Sequence, residues 1–142
     1  MPLEVHRITS EADLSSFAAI QTRAFAANGG MVSLFCPTPI PSDYNEKSMK
    51  KHLKSFREDA DVTYLKVIDT ELNGKMIAGA KWRINEKERT EEQIQSMLPG
   101  PEEEDSEGVA AFKGFLARVR REYMGTKPFY CKGFAYGIRP GS

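Results

Sequence analysis

The sequence predicts an α+β domain: a mixed or antiparallel sheet with a central hairpin, flanked by helices, in the order β-α-α-β-β-α-β. Three observations predict it. Asn73-Gly74, a strong short hairpin signal, joins two strand-like runs. Two stretches with apolar residues at helical spacing come before the hairpin, and a third comes after it. The chain of 142 residues has the length of one domain able to bury a core.

Residues 3–8 form the first expected strand. Ser10 stands three residues before Asp13, in the manner of a capping box. Leu14, Phe17, Ala18 and Phe25 then repeat at helical spacing, and Asn28-Gly29-Gly30 is a helix stop. Pro37, Pro39 and Pro41 forbid regular helix, so residues 31–41 read as a loop. A second helix starts near Ser42 or Asp43. Met49, Leu53 and Phe56 mark its buried face, and Lys47, Lys50, Lys51, Lys54 and Arg57 its wet face.

Residues 62–69 are β-branched and apolar on both faces, which suits a central strand. Residues 76–84 form the return strand, with Met76, Ala78, Ala80, Trp82 and Ile84 on one face and Lys81 and Arg83 on the other. Gly79 within it suggests a bulge or a close backbone approach. Residues 85–106 lack apolar periodicity and gather Glu102, Glu103, Glu104, Asp105 and Glu107, so they read as a solvated acidic loop insertion. Val109, Phe112, Leu116, Val119 and Tyr123 step as one helix face, which stops at Gly125. Phe129-Tyr130-Cys131 begins the last strand.

Composition bounds the function. Hydrophobic residues make up 40% and charged residues 28%, as in ordinary globular proteins. Lys plus Arg and Asp plus Glu each total 20, so no long-range attraction to nucleic acid or an anionic membrane is expected. The two cysteines, Cys36 and Cys131, form no C-x-x-C pair, and no metal site is expected. The first residues carry no signal-peptide pattern, and apolar runs are too short for a membrane span. The reading is an intracellular protein, cytoplasmic or nuclear.

The order of elements and the wording of the hairpin resemble the N-terminal half of the GNAT superfamily of N-acetyltransferases. The residues that carry the resemblance are Leu65-Lys66-Val67-Ile68-Asp69, Gly74-Lys75-Met76-Ile77-Ala78-Gly79-Ala80-Lys81-Trp82 and the helix over 12–27. It covers residues 1–131, and 132–142 read as a divergent tail. It implies acetyl transfer from acetyl-CoA to an amine. The family holds acetyl-CoA with an Arg/Gln-x-x-Gly-x-Gly/Ala loop, whose N–H groups cradle the pyrophosphate. No such loop occurs in this sequence; Gln21-Thr22-Arg23-Ala24-Phe25-Ala26 lacks the first glycine and lies inside a helix pattern. No catalytic or cofactor-binding residue is therefore carried over. The chain is expected to be a truncated domain, inactive alone, that retains the acceptor side. Phe25, Phe35 and Trp82 are the acceptor-pocket candidates, with core packing as their alternative role. An open sheet edge at the last strand would favour self-association, so a non-catalytic pairing fragment is the competing reading.

Other constellations carry less. Lys132-Gly133-Phe134-Ala135-Tyr136 fits the start of an RNA-binding strand motif and then departs from it. Cys36 and His52 have the types of a nucleophile and base, but nothing in the sequence orients them.

Overall fold

The computed structural model describes residues 2–26, 39–100, 102 and 105–137. Its elements are β1 (Leu3–Arg7), α1 (Ala12–Ala26), α2 (Tyr44–Glu58), β2 (Val62–Asp69), β3 (Lys75–Asn85), α3 (Glu91–Met97), α4 (Glu107–Val119) and β4 (Phe129–Gly137). The four strands form one open antiparallel sheet in the order β1-β2-β3-β4. The chain divides into two compact units. One runs to Ile84 and resumes at Cys131; the other spans Asn85–Tyr130. Among the described residues no helix is long and apolar enough to cross a membrane.

In the first unit, α1 buries Leu14, Phe17, Ala18, Ile20 and Gln21, one face at the spacing read from the sequence. The Ser10 hydroxyl accepts the Ala12 N–H at 3.3 Å at its start. Ile8, Leu14, Phe17, Ile20, Tyr64 and Met76 form the core, with Phe25, Met49, Leu53, Phe56 and Val62 packed against it. The two deepest residues of α2 are polar, His52 and Ser55, while Met49, Leu53 and Phe56 are half-buried beside them.

β2 is central, paired antiparallel with β1 and β3. Asn73 (φ 55°) and Gly74 (φ 72°) both take left-handed backbone, as the dipeptide demands. A helical turn over Thr70–Leu72 precedes them, because the Asp69 carboxylate accepts the Glu71 N–H at 2.9 Å.

The register breaks once, between Val67 and Ile68: Val67 faces Ala78 but Ile68 faces Met76. Ile77 is the extra residue of this bulge, which corrects the face assignment of β3. Met76 crosses to the helix-covered face and joins the core, leaving Ala78, Ala80, Trp82 and Ile84 on the other face. At Gly79 the close approach is that of a side chain and not of backbone: a Cβ there would stand 2.6 Å from two carbons of the Phe17 ring.

In the second unit the sequence expectation needs a correction. The stretch read as an acidic loop contains α3, so the order gains a helix. Thr90 and Gln93 close a capping box, with Gln93 N–H to Thr90 Oγ1 at 3.2 Å and Thr90 N–H to Gln93 Oε1 at 2.9 Å. Seven residues with one buried apolar side chain, Ile94, are too few to show a periodicity. α4 starts at Ser106, whose hydroxyl accepts the Val109 N–H. It runs through a π-helical turn, Arg120–Met124, to Gly125 (φ 47°). Of the expected apolar stripe only Val109 is buried, and Tyr123 is 74% exposed. The last strand extends to Gly137, well into the stretch read as a tail.

Candidate functional site

The face of the sheet beneath α1 and α2 carries the chemistry. Strand alternation puts Tyr64 and Lys66 of β2 and Gly79, Lys81 and Arg83 of β3 on it. Three of these are charged, on a face that also bounds the core.

His52 is only 6% exposed. Its Nε2 stands 2.6 Å from Gln21 Oε1 and its Nδ1 3.0 Å from the Tyr64 hydroxyl. An amide oxygen can only accept, so Nε2 carries the proton and Nδ1 accepts from the tyrosine. Ser48 Oγ donates to the same Gln21 oxygen at 2.8 Å. The chain from Tyr64 through His52 to Gln21 is satisfied by a neutral imidazole. Burial, reinforced by the Lys81 charge, pulls the His52 pKa down to about 4. Burial pushes the Tyr64 phenol up to about 12. Both ring nitrogens are engaged, which suits a positioning role better than general-base work.

Beside this network, Arg83 gathers two carboxylates. One nitrogen donates to Asp59 at 2.8 Å and the other to both oxygens of Asp61 at 3.0 Å. The Ser55 hydroxyl adds a bond to Asp59 at 2.6 Å. Lys81, whose charge is felt by His52, has Nζ 5.5 Å from the centre of the Tyr64 ring. Burial, then the Arg83 charge, lowers its pKa to about 8. Sequence reasoning missed this group: alternation in β3 set Lys81 and Arg83 on the face opposite its apolar residues and did not show what covers that face. The available signal was Gly79 two residues earlier, read as a bulge or a close approach.

A cleft of about 360 Å³ opens between α1 and the hairpin, lined in part by Asp13, Ser16, Arg23, Lys66, Lys75 and Met76. Lys66 Nζ pairs with Asp13 at 2.7 Å across it. Three cations against one carboxylate make its lining basic.

Phe25 and Trp82 are not brought together. Phe25, on α1, packs against the core, and Trp82 is half-buried on the opposite face of the sheet, across from Thr63. Phe35 and Cys36 lie outside the described residues, so His52 is described here with Gln21 and Tyr64 alone. His6 sits on exposed β1 and pairs with Glu4 at 2.8 Å. Comparison with protein-family models, curated proteins and solved structures finds no match.

Proposed function

We propose that this chain supplies the acceptor side of a GNAT-like N-acetyltransferase, a fold that moves an acetyl group from acetyl-CoA to an amine. The observation that carries the reading is the hairpin of β2 and β3. Its Gly74-Lys75-Met76-Ile77-Ala78-Gly79-Ala80-Lys81-Trp82 wording resembles the family, and it lies at the centre of an antiparallel sheet whose first crossover is a pair of helices. Fold-level likeness alone fixes no chemistry, so the support rests on this wording and order taken together. In such a domain α1 and α2 wall the acceptor, and the amine must arrive neutral to attack the thioester. No Arg/Gln-x-x-Gly-x-Gly/Ala loop is among the 142 residues, so the proposal gives this chain no acetyl-CoA site of its own.

A thermal melt of the purified chain with and without acetyl-CoA tests this division of labour. A ligand at a hundred times its dissociation constant adds about 2.7 kcal/mol, roughly 8–13 °C for a domain near this size. The proposal expects one cooperative transition that acetyl-CoA leaves in place. An upward shift of that size would overturn it, since the chain would then hold the cofactor itself.

One observation favours a second reading, a non-catalytic pairing fragment. Among the described residues β1 bonds only to β2, and its Leu3 and Val5 are 44% and 66% exposed. An unpaired edge accepts another strand. Light scattering after size exclusion checks it: a dimer supports pairing, and a monomer at high concentration removes it.

A further inference from the structure

We propose that Lys81 is a site of covalent acylation, its ε-amine taking the acyl group of a small acyl thioester. Lys81 projects from the middle of β3 onto the face beneath α1 and α2, opposite Tyr64 in the register. The ionisable groups around it are His52 from α2, Asp59 and Asp61 from the connection between α2 and β2, Tyr64 from β2 and Arg83 from its own strand. Burial, with the Lys81 charge second, holds His52 neutral. Both carboxylates are committed to Arg83 at 2.8 and 3.0 Å. Lys81 itself makes no hydrogen bond and no ion pair among the described residues; its near neighbour is the face of the Tyr64 ring.

Other lysines differ in kind. Lys66 is tied to Asp13 and Lys113 to Asp105, each at 2.7 Å, and Lys47 and Lys50 pair along α2 with Asp43 and Glu46. Lys51 and Lys54 stand on the exposed face of α2 in full hydration. A nucleophilic amine needs the neutral form, which burial without an anionic partner favours. Among the described residues Lys81 alone combines a half-buried position, no paired carboxylate and an adjacent fixed cation.

The step balances without any further reagent. The amine lone pair attacks the thioester carbonyl, and the new N–C bond forms as the C–S bond breaks. The thiolate leaves and takes up the proton that nitrogen loses. The product is a neutral amide over the Tyr64 ring, which suits a site that penalises charge. The proposal does not depend on the acetyltransferase reading, because the thioester reacts directly with the folded chain.

The test is limited acetylation of the folded 142-residue chain with S-acetyl-N-acetylcysteamine, a small acetyl thioester, followed by peptide-resolved mass spectrometry. Lowering the lysine pKa from 10.5 to about 8 raises the neutral fraction near pH 7 roughly 300-fold, and lower basicity and partial burial give some of that back. Lys81 is expected to react at least about tenfold faster than Lys51 and Lys54 near neutral pH. Its rate should level off above about pH 8. In guanidinium chloride the difference should vanish. A Lys81 rate equal to or below that of Lys51, or a Lys81 rate that keeps climbing through alkaline pH, overturns the proposal. No variant is needed, so misfolding cannot obscure the result.

Discussion

Gly79→Ala is expected to destabilise the first unit, and the size of the effect follows from one contact. The added methyl would lie 2.6 Å from Cδ2 and Cε2 of Phe17, well inside ordinary van der Waals contact. Phe17 is fully buried and cannot simply swing away. Its ring stands edge-on to His52, centroids 5.0 Å apart, and to Tyr64 at 5.1 Å. Any retreat therefore disturbs the hydrogen-bonded pair behind it. Overpacking of this kind costs about 1–3 kcal/mol. Replacing glycine restricts the unfolded chain and returns about 0.4–1 kcal/mol, since the backbone at 79 is not left-handed. The net loss of about 1–2 kcal/mol should lower the melting midpoint by roughly 3–10 °C, followed by circular dichroism. Gly114→Ala is the control: it lies on the exposed side of α4 with open space around its Cβ, and should stabilise slightly. Combining Gly79→Ala with Phe17→Leu should recover part of the loss, a non-additivity that reports direct contact. A Gly79→Ala protein that melts at or above the parent would refute the reasoning, because α1 could not then sit on β3 as described.

Three further outcomes follow from the same geometry. Tyr64→Phe removes the donor to His52 Nδ1 in a dry setting and should cost about 1–3 kcal/mol, read as a lower urea midpoint with an unchanged slope. His52 titrates near 6.5 when unfolded and near 4 when folded, so the unfolded chain binds the extra proton between those values. Stability should be complete above about pH 6.5 and fall as pH drops towards 4, a window that His52→Gln should flatten; an unchanged slope in the variant contradicts the assignment. Thr90→Ala breaks the capping box of α3 and should cost about 1 kcal/mol locally, seen as faster hydrogen exchange over residues 91–97 with little change elsewhere.

Much of the fold was legible because its signals are local. Leu14, Phe17 and Ala18 carry helix period, Asn73-Gly74 can hardly be anything but a left-handed turn, and Gly125 with Pro128 ends α4. What escaped depends on long-range geometry. The bulge at Val67 and Ile68 moves Met76 to the other face, and Gly79, which suggested a bulge or a close approach, does not place the extra residue at Ile77. Alternation set Lys81 and Arg83 on the face opposite the apolar residues without showing what lies over it. Only the arrival of α1 and α2 over that face turns them into a half-buried charge cluster. α3 escaped for a different reason: its capping box is a two-residue signal within a run of acidic residues that reads as solvated. His52 was visible as a titratable residue, but its partners Gln21 and Tyr64 are 31 and 12 positions away. Spatial pairing of that kind is not written in spacing.

If α1 and α2 form the acceptor side of an N-acetyltransferase fold, as proposed, they bind amines, and an NMR titration reads this out residue by residue. The 15N-labelled chain would be titrated with primary amines of increasing size, from spermidine to a lysine-containing peptide. At least one amine is expected to shift a contiguous set of amide signals on α1 and α2 in a saturable way. Shifts confined to residues 85–130, or no saturable shift with any amine, would contradict it.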